Sequence, residues 1–349
     1  MESILPTYND PLFSIFMAIV LVLVTAILSN VMGNYKEEQR QKSLQNFLGQ
    51  ITVDAYTLEI NKIPFESALV YPLSLLADTL TSQGEYQKAV DIYLYLIKNI
   101  SSFEEKEHIL EAFGRAYLKG GFLKRAEAVF LEILHKHPRN RKVLFYLEVV
   151  YELLNDTQKA MSTLKPLEIM GEHIGRLQAH LSLTSLLKDP TQSEAQRVEI
   201  LVAYLEDENY SYRHIMQVLF RLDSSVAWRV LKEEKIPLIL DILWFLPTSN
   251  INFDIISKSE LLSSLYTAKG LLPVENARVK SGIFALDTMV ASRRGGSSEV
   301  DLHFSYGCNQ CKGEFPISFI RCPHCYALDS IQIKERIAKK RSQTGYSLL

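Results

Sequence analysis

The sequence predicts a mainly α-helical protein with three parts: one membrane-spanning helix at the N-terminus, an α-solenoid of repeated helical hairpins, and a small cysteine-rich ribbon near the C-terminus. Three observations predict it. Residues 12–32 carry no charged side chain. Small, aromatic and turn-forming residues then recur at a near-constant interval. All four cysteines of the 349-residue chain lie between Cys308 and Cys325. The expected order is a short outer segment 1–11, a span 12–32, a connector helix 33–65, a repeat domain 66–290, a linker 291–299, a ribbon 300–333 and a basic tail 334–349.

The stretch 12–32 includes Phe13, Ile15, Phe16, Ile19, Val20, Leu21, Val22, Leu23 and Val24. About 20 apolar residues in a helix cross the hydrocarbon layer, and only a helix closes its own backbone hydrogen bonds there. A cleaved signal peptide would begin with basic residues and end at a small-residue site. Here the start carries Glu2 and Asp10 and neither Lys nor Arg. A buried core helix would have one polar face, and this run has none. Lys36, Arg40 and Lys42 follow the span. The positive-inside rule therefore places the N-terminus outside and residues 33–349 in the cytoplasm. In a bacterium this is a single pass through the inner membrane, with residues 1–11 periplasmic.

Self-similarity organises the next section. Gly114, Tyr117, Gly121, Ala126, Phe130 and Pro138 form one set. Tyr151, Asn155, Ala160, Leu164 and Leu167 form a second, and Ala77, Leu80, Gly84, Tyr86, Ala89, Tyr93 and Leu96 a third. These residues occupy corresponding positions of the 34-residue tetratricopeptide pattern. Small residues let the two helices of a repeat approach closely. Gly84, Gly121 and Asn155 take the left-handed conformation that ends each first helix. The aromatic and aliphatic residues fill the space between helices, and Pro138 stops the second helix. An unrelated helical hairpin bundle is the competing explanation, and three sets in register argue against it.

Beyond Met170 the pattern fades, but amphipathic faces continue. Leu177, Leu181, Thr184 and Leu187 form one, and Val198, Leu201, Val202 and Leu205 another. Pro190, Pro237, Pro247 and Pro273 mark expected helix boundaries. Degenerate repeats are expected to continue the solenoid and cover its apolar end. The apolar stretch 236–246, with Trp244 and Phe245, reads as core rather than a partner-binding patch.

Residues 291–298 (ASRRGGSS) read as a flexible linker. Val300, Leu302, Phe304 and Tyr306 then alternate with Asp301, His303 and Ser305, a strand pattern. Cys308-Asn-Gln-Cys311 and Cys322-Pro-His-Cys325 follow, and Ile331 and Ile333 supply a further strand. Two such turns bring four thiolates onto one soft ion. A unit this small would draw its folding energy from the metal. The metal ligands expected are Cys308, Cys311, Cys322 and Cys325, with zinc as cofactor and iron as the alternative, since both accept four thiolates. A redox dithiol or two disulfides are the competing readings, and a reducing cytoplasm disfavours both. His324, between two ligands, reads as a bystander. Lys334, Arg336, Lys339, Lys340 and Arg341 read as a solvated tail, with anionic lipid as the alternative contact.

A formal net charge of -2 gives no basis for binding nucleic acid. No phosphate-loop, HExxH or glycine-rich strand–helix turn occurs. The expectation is a non-catalytic protein with no catalytic residue, no organic cofactor and no small-molecule substrate.

The order of parts resembles the lipopolysaccharide assembly protein B-like family of inner-membrane adaptors in Gram-negative bacteria. The resemblance covers most of the chain by architecture. It is specific at Cys308, Cys311, Cys322, Pro323 and Cys325 and at the repeat positions above. It implies a rubredoxin-like knuckle packed on the repeats. It also implies work with the membrane protease FtsH to control turnover of the deacetylase that commits carbon to lipid A, and contacts with other envelope proteins. The chain departs from that pattern in a longer outer segment, in poor repeats past residue 170 and in its basic tail. The expected function is a membrane-anchored adaptor that binds protein partners through the repeats. The alternatives are a chaperone that protects another inner-membrane complex, such as a flagellar stator, from proteolysis, or a redox or metal-using enzyme centred on the knuckle.

Overall fold

A computed structural model describes residues 64–276 and 281–340. The expected span 12–32, the connector up to residue 63 and the last nine residues of the tail lie outside them. No described helix is long and apolar enough to cross a membrane. From Phe65 onward the chain forms one compact unit, mainly helical with one small sheet.

Six helices come first, in three antiparallel pairs. They are α1 (Val70–Gln83) with α2 (Tyr86–Asn99), α3 (Phe103–Lys119) with α4 (Leu123–Lys136), and α5 (Arg141–Leu153) with α6 (Thr157–Ile169). The turn inside each pair holds one residue with positive φ: Gly84 at 85°, Gly121 at 77° and Asn155 at 60°. Glycine and asparagine tolerate that backbone, so the chain reverses there with little strain. Ala77, Ala89, Tyr93, Ala126, Phe130, Ala160 and Leu164 are buried between the helices. A Cβ on Gly114 would stand 2.4 Å from the Phe130 ring, so the closest approach of α3 and α4 requires glycine. Asn140 and Asp156 cap α5 and α6 by accepting from the backbone N–H groups of Val143 and Lys159.

The chain continues through α7 (Gly175–Lys188), α8 (Glu194–Tyr204), α9 (Tyr212–Leu222) and α10 (Ser224–Val230). After a 3₁₀ segment at Glu233–Ile239 come α11 (Leu240–Phe245), α12 (Phe253–Ile256), α13 (Glu260–Lys269) and α14 (Phe284–Arg294). Ser193 and Gln196 close a capping box at the start of α8. These helices share a core of Leu201, Ile215, Leu219, Trp228, Leu243, Tyr266 and Met289 that reaches Leu302 of the sheet. Pro190, Pro247 and Pro273 fall just past helix ends as expected, whereas Pro237 sits inside the 3₁₀ segment. Within 236–246, Trp244 is 5% exposed but Phe245 is 67% exposed, so the stretch is core on one side only.

The sheet has order β2-β1-β3, with β1 at Val300–Cys308, β2 at Glu314–Phe315 and β3 at Ile331–Lys339, all antiparallel. β1 pairs with β3 without interruption from Val300↔Lys339 to Cys308↔Ile331. Two expected boundaries move. α14 runs through Arg294, into the expected linker, because Met289 and Val290 bury against the core and the helix ends only at Gly295 and Gly296. β3 runs six residues past 333, because Ile337 packs on the core beside Leu302. Lys334, Arg336 and Lys339 therefore belong to a strand, and Lys334 and Arg336 both pair with Glu314.

Candidate metal centre

The cysteines sit at the end of the β1–β3 hairpin. Cys308 closes β1, and residues 309–330, which include β2, carry two turns before β3 begins. The turns repeat one hydrogen-bond pattern. Lys312 N–H donates to Cys308 O at 2.9 Å, and Cys308 N–H to Gly313 O at 2.9 Å. Tyr326 N–H donates to Cys322 O, and Cys322 N–H to Ala327 O, both also at 2.9 Å. Lys312 and Tyr326 each take positive φ, at 61° and 62°, which folds each Cys-x-x-Cys back on itself.

The result brings all four predicted ligands together. Their sulfurs lie within 4.8 Å of one another. Cys308 and Cys325 are 3.7 Å apart, as are Cys311 and Cys322. Sulfurs about 2.3 Å from a tetrahedral zinc ion would lie roughly 3.8 Å apart, so the set fits one ion. Cys308 and Cys322 are buried. Gln310 N–H points at Cys308 Sγ at 3.4 Å, and the Ser330 hydroxyl lies 3.2 Å from it. Burial works against a Cys308 thiolate. The bonds from Ser330 and from the N–H groups of Cys311 and Gln310 outweigh it and bring this thiol down to about 6. Burial and the surrounding sulfurs push Cys325 up to about 12. Four sulfurs this close hold four negative charges only around a cation. His324 is exposed and stays outside the cluster.

Two groups of buried charges fasten the cysteine unit to the helices. The Arg321 guanidinium, next to Cys322 in sequence, enters the helical domain. Its Nη2 donates to the Glu148 carboxylate at 2.9 and 3.2 Å and to Glu152 Oε2 at 2.5 Å, and its Nη1 donates to Tyr326 O at 3.0 Å. Glu148 is 0% exposed. His180 Nε2 on α7 holds the other oxygen of Glu152 at 3.0 Å, and the His180 ring lies 6.1 Å from that of His214 on α9. The two carboxylates split. Burial pushes Glu148 up to about 7 against the pull of Arg321. Burial also opposes the Glu152 charge, but the bonds from His180 and Arg321 overcome it and bring Glu152 down to about 2. Burial lowers His214 to about 4. The second group is Arg213 on α9, paired through both terminal nitrogens with Asp241 on α11 at 2.6 Å, with the Tyr306 hydroxyl of β1 donating to Asp241 at 2.8 Å.

Of these residues sequence reasoning names only Tyr306, as part of a strand; Arg321, Glu148, Glu152, His180, His214, Arg213 and Asp241 are not named by it. Glu148 carried a signal: it is an acid on a helix face otherwise built from Leu144, Leu147 and Tyr151. No protein-family model matches the chain, and no characterised protein matches it in sequence.

Proposed function

We propose that this protein is a membrane-tethered adaptor. In this reading α1–α6 are tetratricopeptide-type repeats, the later helices extend the solenoid in degenerate form, and the cysteine unit is a rubredoxin-like zinc ribbon. The left-handed residues at Gly84, Gly121 and Asn155 and the Gly114–Phe130 approach support the repeat reading. Residues 12–32 supply the tether, with the bulk in the cytoplasm of a bacterium.

One observation carries the proposal: the cysteine unit is seated on the helices by the buried pairs of Arg321 with Glu148 and Glu152 and by the Tyr306 hydroxyl bond to Asp241. Four thiolates fill a tetrahedral ion and leave no position for a substrate. When bound, the metal supplies a crosslink between two turns, and the surrounding residues hold that crosslink against the repeats. This favours a fixed protein-binding surface over a reaction centre. By its resemblance to the lipopolysaccharide assembly protein B-like family, the partners are a membrane protease such as FtsH and an enzyme of lipid A synthesis.

Purification of the tagged full chain from detergent after crosslinking in cells tests this. Recovery of a membrane protease together with a lipid A enzyme supports it. Recovery of flagellar stator proteins instead supports the chaperone alternative. Recovery of no specific protein contradicts an adaptor. The redox alternative uses the same thiolates with iron. Visible absorption with a reversible potential would favour it, and a colourless zinc protein excludes it.

A further inference from the structure

We propose that Arg321 is a metal-dependent latch, through which occupancy of the four-cysteine centre sets the stability of α5 and α7. The inference rests on the metal reading of the cysteine cluster and goes beyond it.

The two tethers of the cysteine unit differ in what holds them. Tyr306 belongs to β1, whose pairing with β3 runs on for six residues from Tyr306 to Val300, away from the cysteines. Leu302, 2% exposed, anchors the same strand in the core. That attachment needs no metal. Arg321 has no such support. Its backbone is fixed by a single bridge to Leu328 and by the Asp329 N–H to Ile320 O bond, and these close the hairpin that contains Cys322 and Cys325. Without an ion between the sulfurs, Arg321 is held only by this short hairpin and by an exposed bond in which the Ser211 hydroxyl donates to Asp329 at 2.6 Å, and isolated two-stranded hairpins are marginal.

At the other end of the latch, Arg321 is the cation that two buried carboxylates share. Among the described residues Glu148 has no other cation against it, and Glu152 keeps only His180. Withdrawing Arg321 leaves Glu148 and Glu152, one helical turn apart on α5, facing each other in a desolvated site. Removing one partner of a buried pair is far more costly than the pair is stabilising. α5, which bears both acids, and α7, which meets Glu152 through His180, then open more often. α11 and α13, joined to β1 through Asp241 and the shared core, do not feel the change.

Hydrogen exchange on the full chain in detergent, with and without a zinc chelator, tests this. Metal content is measured in parallel. On loss of metal, amides of α5 and α7 should exchange on the order of a hundredfold faster, while β1, α11 and α13 keep their protection. Arg321→Met should open α5 with metal still bound and make it indifferent to chelator. Should that variant fail to accumulate, Glu148→Gln/Glu152→Gln keeps the test open: it removes the carboxylates that Arg321 serves, so α5 should no longer lose protection when metal is removed. Metal loss with unchanged α5 protection overturns the latch and leaves the metal reading intact. Equal chelator response in wild type and in either variant overturns it too. A protein that carries no metal as purified overturns both.

Discussion

The Tyr306 hydroxyl donates to the Asp241 carboxylate at 2.8 Å and joins the cysteine end of β1 to α11 across 65 residues of sequence. Asp241 already receives both terminal nitrogens of Arg213, so the phenol completes a buried three-residue group. Tyr306→Phe removes one donor and leaves the ion pair whole. It should lower stability by about 1–2 kcal/mol without loss of metal. Denaturant unfolding with parallel metal analysis checks both halves. Asp241→Asn should cost more, because it strips the buried Arg213 of its countercharge.

The Gly114–Phe130 contact makes a second prediction. Gly114→Ala places a Cβ 2.4 Å from the Phe130 ring and should destabilise by about 1–3 kcal/mol. Phe130→Leu should make room for it. The double substitution should therefore cost less than the sum of the two singles in a thermodynamic cycle. Strict additivity would show that α3 and α4 do not depend on this approach.

The pH dependence has two limbs with opposite signs. Glu148 sits at about 7 in the fold against an ordinary 4.5, so its contribution is present below 4.5 and lost as pH rises through 7. Glu152 sits at about 2, so its contribution is present above 4.5 and lost as pH falls toward 2. Each limb amounts to about 3 kcal/mol at most. Glu148→Gln should flatten the stability profile between pH 4.5 and 7, and Glu152→Gln should flatten the acid limb instead. Chemical denaturation across pH 3–8 separates them.

How far the sequence alone reaches depends on the distance between interacting residues. The cysteines could be read because each pair forms its own turn. Gly84, Gly121 and Asn155 could be read because a reversal imposes its backbone demand on one residue. The charged contacts could not. Arg213 meets Asp241 across 28 residues, and Arg321 meets Glu148 across 173. Nothing in local spacing connects such residues. The extension of strand β3 past residue 333 escapes local reading for another reason. Lys334, Glu335 and Arg336 interrupt the apolar alternation of Ile331 and Ile333 before Ile337 resumes it, so the charged stretch reads as a solvated tail. The last turn of α14 is not legible locally, because Ala291 to Arg294 has no helix signal apart from what precedes it.

That longer strand alters what loss of a ligand should do. Cys308→Ser and Cys322→Ser each leave three thiolates and should hold metal less tightly. Within the ribbon, the region that becomes sensitive to protease should be confined to residues 309–330, because β1 and β3 remain joined over the core at Leu302 and Ile337. Limited proteolysis with peptide mapping checks this. Cleavage throughout 300–339 would show that the ribbon depends on its metal along its whole length.

The claim on which the account turns is that the four cysteines form one metal centre. Native mass spectrometry of the full chain, before and after acid stripping under reducing-agent-free conditions, measures it directly. The account predicts one zinc ion per chain before stripping and four free thiols afterwards. A metal-free chain lighter by the hydrogens of two disulfides would contradict it.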